Sequence, residues 1–122
     1  MKRLNTPSGI GVDIEEVVRF RTLDRARHKR FFEQIFTKRE IEYCLSKKDP
    51  APHLAARFCG KEAVVKALAG VGIHKVSRRD IEITNTSKGV PRIILHTKHK
   101  DLKIQVSISH ARDYAIAFVI IV

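Results

Sequence analysis

The sequence predicts an α+β fold of one domain, 1–122, in which an antiparallel β-sheet packs on a long central helix. Three observations carry that prediction. Residues 49–72, DPAPHLAARFCGKEAVVKALAGVG, have proline at the front, glycine at the back and apolar residues at helical spacing between them. Around this stretch lie short alternating segments separated by turn residues, at 9–15, 80–84, 91–95, 102–109 and 114–122. Hydrophobic residues make up 43% of the 122, enough for one core and too many for a disordered chain.

The central helix opens at Asp49, Pro50 and Pro52, since proline fits the first turn and needs no N–H there. Gly70 and Gly72 can end it by taking a left-handed backbone. Leu54, Phe58, Val65 and Leu68 form its apolar frame, but its charges do not gather opposite them. At about 100° per residue, Glu62 and Lys66 share one side with Ala55, Cys59 and Ala69. Arg57 and Lys61 share another, between Val64, Leu68 and Leu54. A helix apolar nearly all round is a buried helix, and buried charges need partners. An internal Glu62–Lys66 pair at i, i+4 is the plainest way to satisfy two of them. The apolar flanks point instead to a site that waits for a ligand.

Taken in order, residues 1–8 form a short polar tail. Residues 9–15, GIGVDIE, alternate as a strand with Ile10, Val12 and Ile14 on one face and Gly11, Asp13 and Glu15 on the other. The simple expectation puts the apolar face inward and the polar face in water. A functional reading makes Asp13 a hard oxygen ligand beside the open backbone of Gly11. Residues 19–30, RFRTLDRARHKR, place six basic side chains around the single Asp24, either a solvated face in a loop or irregular helix or an electrostatic landing patch. Phe31, Phe32, Ile35 and Phe36 supply core anchors. Thr37 and Glu40 then form a capping box for a helix running to about Ser46, burying Ile41, Cys44 and Leu45.

After the central helix, 80–84 and 91–95 read as a hairpin turning at 85–89. Leu102, Ile104, Val106 and Ile108 form the inward face of a further strand ending at His110, and 114–122 closes the sheet. Ser109 and His110 point to opposite faces of their strand and cannot form a nucleophile–base pair with each other. The last strand is apolar on both faces: Ala115, Ala117, Val119 and Ile121 on one, Ile116, Phe118, Ile120 and Val122 on the other. The helix can cover one face; the other implies more than one subunit.

Lys+Arg 24 against Asp+Glu 13 gives a net charge of +11 and an anionic partner: nucleic acid, phosphorylated metabolite, acidic protein or membrane surface. The basic N-terminus lacks the apolar run of a signal peptide, and the apolar stretch 115–122 is too short to span a bilayer. Cys44 and Cys59 make neither a zinc site nor a disulfide framework, so a reducing cytoplasm is expected.

Together these pieces resemble the 4′-phosphopantetheinyl transferases, specifically their small bacterial type, the holo-[acyl-carrier-protein] synthases. The resemblance rests on Gly11-Val12-Asp13 and on Phe58-Cys59-Gly60-Lys61-Glu62-Ala63 followed by Lys66. Supporting it are Phe36-Thr37-x-x-Glu40, Asp80-Ile81-Glu82-Ile83, Gly89-x-Pro91 and Ser107-Ile108-Ser109-His110. The turn after the helix departs from the usual Gly-Thr-Gly, reading Ala69-Gly70-Val71-Gly72.

The resemblance implies an enzyme of fatty acid biosynthesis that moves 4′-phosphopantetheine from coenzyme A to a serine of apo acyl carrier protein. It implies Asp13 and Glu62 as Mg²⁺ ligands, Glu62 also as the base, and Lys66 as the group that stabilises phosphoryl oxygens and the leaving group. Arg57 and His110, with help from Lys61, would bind coenzyme A; Arg19, Arg27 and Arg30 would dock the acidic carrier. It also implies a homotrimer, with neither nucleic acid nor membrane as partner. A small basic nucleic-acid-binding module is the competing reading. It suits the charge but lacks a helix-turn-helix, a zinc finger or an aromatic strand motif, and it leaves Asp13 and Glu62 unexplained. A purely structural protein would explain the helix but not the basic run.

Overall fold

The computed structural model describes residues 8–122, so the expected tail lies outside the described residues apart from Ser8. Strand β1 (Gly9–Glu16) leads into three short helices, α1 (Val18–Thr22), α2 (Lys29–Ile35) and α3 (Lys38–Leu45), then the long α4 (Pro50–Gly70). A single 3-10 turn (Arg78–Asp80) precedes β2 (Ile81–Asn85) and β3 (Pro91–Leu95), and β4 (Ile104–His110) and β5 (Tyr114–Ile121) complete the chain. The strands form two antiparallel sheets, β1-β5-β4 and the hairpin β2-β3. Both pack around α4, which the sequence marked as the organising element.

Helix α4 is buried over most of its surface, with Leu54, Ala55, Phe58, Cys59, Ala63, Val64, Ala67 and Leu68 in the core, and is open on the side of Glu62, Lys66 and Ala69. Proline occupies its first turn as expected, but Asp49 does not cap it with its side chain. The Asp49 carboxylate instead accepts from Arg21 at 2.7 Å. At the far end the helix stops at Gly70, and Gly72 takes a φ of 84° that a side chain would resist.

Strand β1 reverses the expected facing. Ile10, Val12 and Ile14 are 65%, 51% and 60% exposed, whereas Gly9 and Gly11 are buried and Asp13 and Glu15 are half-buried. The reason is contact distance. A Cβ on Gly11 would fall 1.9 Å from the carbonyl oxygen of Ala63, and one on Gly9 would fall 2.5 Å from that of Ala67. Only glycine lets the strand backbone lie directly on α4, and this fixes the register so that Asp13 faces the helix. In β5, Ala115, Ala117, Val119 and Ile121 pack inward, while Ile116 and Phe118 remain exposed. Since Val12 pairs with Phe118 and Ile14 with Ile116, the two strands form one uncovered apolar face.

Helix α3 has the predicted capping box, with Thr37 and Glu40 exchanging both bonds. Cys44 is buried, but Ile41 is only partly so and Leu45 is exposed, contrary to the expected inward set. Glu82 of β2 fastens this helix to the hairpin. Burial works to raise its carboxyl, but hydrogen bonds from Arg39, Thr37 and His96 and the charge of Arg39 overcome that and hold it at about 2.

Candidate active site

The packing of β1 on α4 brings the two candidate metal ligands to one place. Cys59 Sγ of α4 donates to the Asp13 carbonyl at 3.0 Å, and Lys66 Nζ donates to the Val12 carbonyl at 2.9 Å. These bonds seat Asp13 against the same side of the helix that carries Glu62. Glu15 joins them. Burial, followed by the negative charge of Asp13, raises its carboxyl, and Glu62 adds to the effect. The three carboxylates therefore share one field. Oδ2 of Asp13 is buried with no partner. A buried carboxylate oxygen left unpaired is costly, and a cation is the group that relieves it. Among the described residues, no three His, Cys, Asp or Glu groups are arranged to hold a metal by themselves. Two carboxylates completed by substrate phosphates and water suit Mg²⁺, so the residues present fit it.

Each ligand candidate has its own counter-ion. Lys66 Nζ lies 3.4 Å from Asp13 Oδ1. Arg78 grips Glu62 with two bonds, Nε to Oε1 at 2.7 Å and Nη2 to Oε2 at 3.2 Å. Glu62 therefore takes its partner from outside the helix, and the plainer alternative of an internal pair with Lys66 is not formed. Arg78 did not stand out in the sequence, where it is one basic residue among 24.

Lys61 is not at the site. It is fully buried, and its ammonium is bound by Glu40 Oε1 at 2.7 Å, the Arg78 carbonyl at 2.9 Å and the Ile81 carbonyl. Burial pulls its pKa down against the opposing charge of Glu40. Glu40 is thus more than a cap, since its other oxygen also accepts from the Ile83 N–H at 3.0 Å. With every ammonium proton engaged, Lys61 has none to offer a phosphate; it ties α4 to α3 and to the base of β2. Lys61→Ala strands the Glu40 carboxylate and is expected to lower stability by about 3–5 kcal/mol. Paired replacement by Lys61→Met with Glu40→Gln should cost much less. Urea denaturation of the wild type and the two variants measures the difference.

Arg57 and His110 meet through an aromatic bridge. The Arg57 guanidinium lies over the Tyr43 ring at 3.9 Å, Tyr43 meets His53 at 6.2 Å, and His53 meets His110 at 5.5 Å. Arg57 Nη2 donates to Asn85 Oδ1 at 2.6 Å, and its Nε is buried without a partner. Burial first, then the nearby charge of His110, Lys47 and Arg57, lowers the pKa of His53. This is a basic, aromatic-lined corner with unsatisfied donor capacity, suited to phosphate and a flat base.

The basic run lies beside both regions. Arg19 stacks over Phe58 at 4.9 Å and reaches to 3.9 Å from Glu15, so it connects the patch to the carboxylates. Arg27 lies in the turn before α2 and Arg30 on α2, both exposed. Burial raises the thiols of Cys44 and Cys59 to about 11 and about 12, which marks both as core residues rather than nucleophiles. A groove of about 640 Å³ between α2 and α3, floored by Phe32, Phe36 and Ile41, is lined by none of the candidate site residues.

Residues 9–119 match the model of the 4′-phosphopantetheinyl transferase superfamily. The chain is 43% identical over 113 residues to a holo-[acyl-carrier-protein] synthase of Chlorobaculum parvum, covering 92% of this chain and 96% of its relative. It is 50% identical over 112 residues to one of Chlamydia caviae, covering 88% and 91%. Among solved structures, it resembles the Helicobacter pylori holo-[acyl-carrier-protein] synthase in complex with coenzyme A, with a TM-score of 0.78 and 33% identity over 93% of this chain and 99% of that one. It also resembles the Bacillus anthracis synthase in complex with CoA (3′,5′-ADP), with a TM-score of 0.76 and 33% identity over 94% and 96%.

Proposed function

Because the chain belongs to the 4′-phosphopantetheinyl transferase superfamily and to its holo-[acyl-carrier-protein] synthases, we propose that it transfers 4′-phosphopantetheine from coenzyme A to a serine of apo acyl carrier protein. The observation that carries the site assignment is the buried, partnerless Oδ2 of Asp13, a β1 residue whose carbonyl is held by Cys59 of α4, one turn before Glu62. Asp13 and Glu62 would hold Mg²⁺, which when bound neutralises charge on the pyrophosphate and orients it. Glu62, at the rim of this pair, takes the proton of the carrier serine hydroxyl. The serine oxygen bonds to the β-phosphorus as the bond from that phosphorus to the bridging oxygen breaks, and adenosine 3′,5′-bisphosphate leaves. The Lys66 side chain is 56% exposed and its ammonium lies close to Asp13, so it can meet the charge that develops on the leaving group. Arg57 and His110 anchor the nucleotide phosphates. Incubation with coenzyme A, Mg²⁺ and an apo carrier tests this. The carrier should gain the mass of one phosphopantetheine group, and an unchanged carrier mass would overturn the proposal.

Arg19, Arg27 and Arg30 receive the acidic face of the carrier, a role supported by their exposure and by the contact of Arg19 with Phe58 at the edge of the site. Arg19→Glu or Arg30→Glu should raise KM for the carrier severalfold at low salt and leave that for coenzyme A nearly unchanged. Steady-state kinetics with each substrate varied in turn decides it.

The uncovered face of Ile10, Val12, Ile14, Ile116 and Phe118 is closed by further copies of the chain, three in all by family likeness. Closed symmetry hides such a surface without open-ended growth. Phe118→Asp should reduce the assembly to monomer in sedimentation equilibrium. A wild-type protein already monomeric at micromolar concentration and fully active would refute it. No described helix is long and apolar enough to cross a membrane, and a cytoplasmic setting in fatty acid synthesis fits a coenzyme A-dependent reaction.

A further inference from the structure

We propose that Arg78 is a resident counter-ion of the site, competing with the divalent cation for Glu62 and releasing it when the phosphates of the co-substrate arrive. The inference rests on Glu62 being a cation ligand, as read above. Its basis is the asymmetry between the two carboxylates. Asp13 meets Lys66 through Oδ1 alone and keeps Oδ2 free of any partner. Both oxygens of Glu62 are engaged by the fork of Arg78, at 2.7 and 3.2 Å. Such a fork lies along the edge of the carboxylate and puts a fixed positive charge where a cation would otherwise approach. Glu62 is the ligand that must be surrendered.

Arg78 is built to surrender it. Its backbone is held, because its carbonyl accepts from the buried Lys61 ammonium at 2.9 Å and it lies in the 3-10 turn that starts β2. Its side chain is 39% exposed, so the head can swing while the base stays. A cation arriving alone has to displace a guanidinium that then has no partner. When phosphate is present the guanidinium has an anion to take, and the exchange becomes nearly even. Cation and phosphate should therefore bind cooperatively, and by linkage each should raise the affinity for the other equally.

Mn²⁺ binding by the full-length protein, followed through the electron paramagnetic resonance of the free ion, tests this with and without coenzyme A. Arg78→Met should bind Mn²⁺ alone about fivefold tighter than the wild type, the scale of a partly exposed ion pair. Coenzyme A should then strengthen Mn²⁺ binding less than it does in the wild type. Arg78→Lys keeps a charge without the fork and should fall between them, which guards against a folding defect in the first variant. Equal or weaker Mn²⁺ binding by Arg78→Met would overturn the inference, since Arg78 would then support Glu62. Glu62→Gln separates the two failures. If it binds Mn²⁺ like the wild type, Glu62 is not a ligand and the underlying reading falls as well. If it loses Mn²⁺ while Arg78→Met is unaltered, only the competition falls.

Discussion

Glu62→Gln should leave the fold intact and lower turnover by at least about 10²–10⁴-fold, the range associated with loss of a positioned acid–base group, with metal ligation lost as well. Glutamine preserves the shape of the side chain and can still accept a hydrogen bond from Arg78. Its neutral amide neither attracts a divalent cation nor takes a proton from serine. A thermal melt close to wild type, together with the lost turnover, would place the effect in the chemistry. Near wild-type turnover would remove Glu62 from its role. Asp13→Asn is the milder companion: it should shift the Mg²⁺ requirement upward, because the unpartnered Oδ2 that awaits a cation becomes part of a neutral amide.

Gly11→Val should disrupt the fold where β1 lies on α4. Its first added atom falls 1.9 Å from the Ala63 carbonyl oxygen, a distance no real contact tolerates, and that neighbour is backbone and cannot rotate away. Strand β1 has to lift off α4, losing the packing of β1 and β5 against the helix. Overpacking of a core usually costs about 1–3 kcal/mol, and a backbone clash of this depth should reach or exceed the upper end. Asp13, two residues on, moves with the strand, so activity should fall even where the protein still folds. Gly70→Ala is the control, since its nearest neighbour on that side is the Gly9 Cα at an ordinary 3.9 Å. Urea midpoints for the two variants should differ clearly; equal midpoints would show that the close approach of β1 to α4 is not needed.

The same glycines explain what the sequence could and could not reveal. Alternation over 9–15 identified a strand correctly, because period-two patterning is a local property. It misassigned the faces, because the close approach of Gly9 and Gly11 to α4 overrides the rule that apolar residues point inward. Ile10, Val12 and Ile14 face outward beside Ile116 and Phe118, and an uncovered apolar face has no signature that separates it from a core face. Glu62 and Lys66 were legible as charges on an otherwise apolar helix and Asp13 as a candidate ligand beside Gly11; the structure sets Lys66 Nζ 3.4 Å from Asp13 Oδ1.

Other parts of the site depend on contacts between elements distant in the chain. Glu40 was fully explained by its capping box, so nothing in the sequence called for a second partner, yet it holds the buried Lys61 ammonium. That bond removes Lys61 from the phosphates and makes it a brace between α3, α4 and β2. Arg78 carries no local pattern, and Asn85 reads only as the start of the hairpin turn. They acquire meaning only when the chain returns to α4, where one grips Glu62 and the other Arg57.

On the proposed reading, Asp13 of β1 and Glu62 of α4 would hold one divalent cation against the coenzyme A pyrophosphate. Anomalous scattering from Mn²⁺, in crystals grown with coenzyme A, addresses it most directly. A single strong peak per chain is expected, about 2.0–2.2 Å from a carboxylate oxygen of each residue, as for a hard octahedral ion, with Arg78 turned from Glu62 toward phosphate. Coenzyme A clearly seated, with no peak between these two carboxylates and Arg78 still on Glu62, would contradict it.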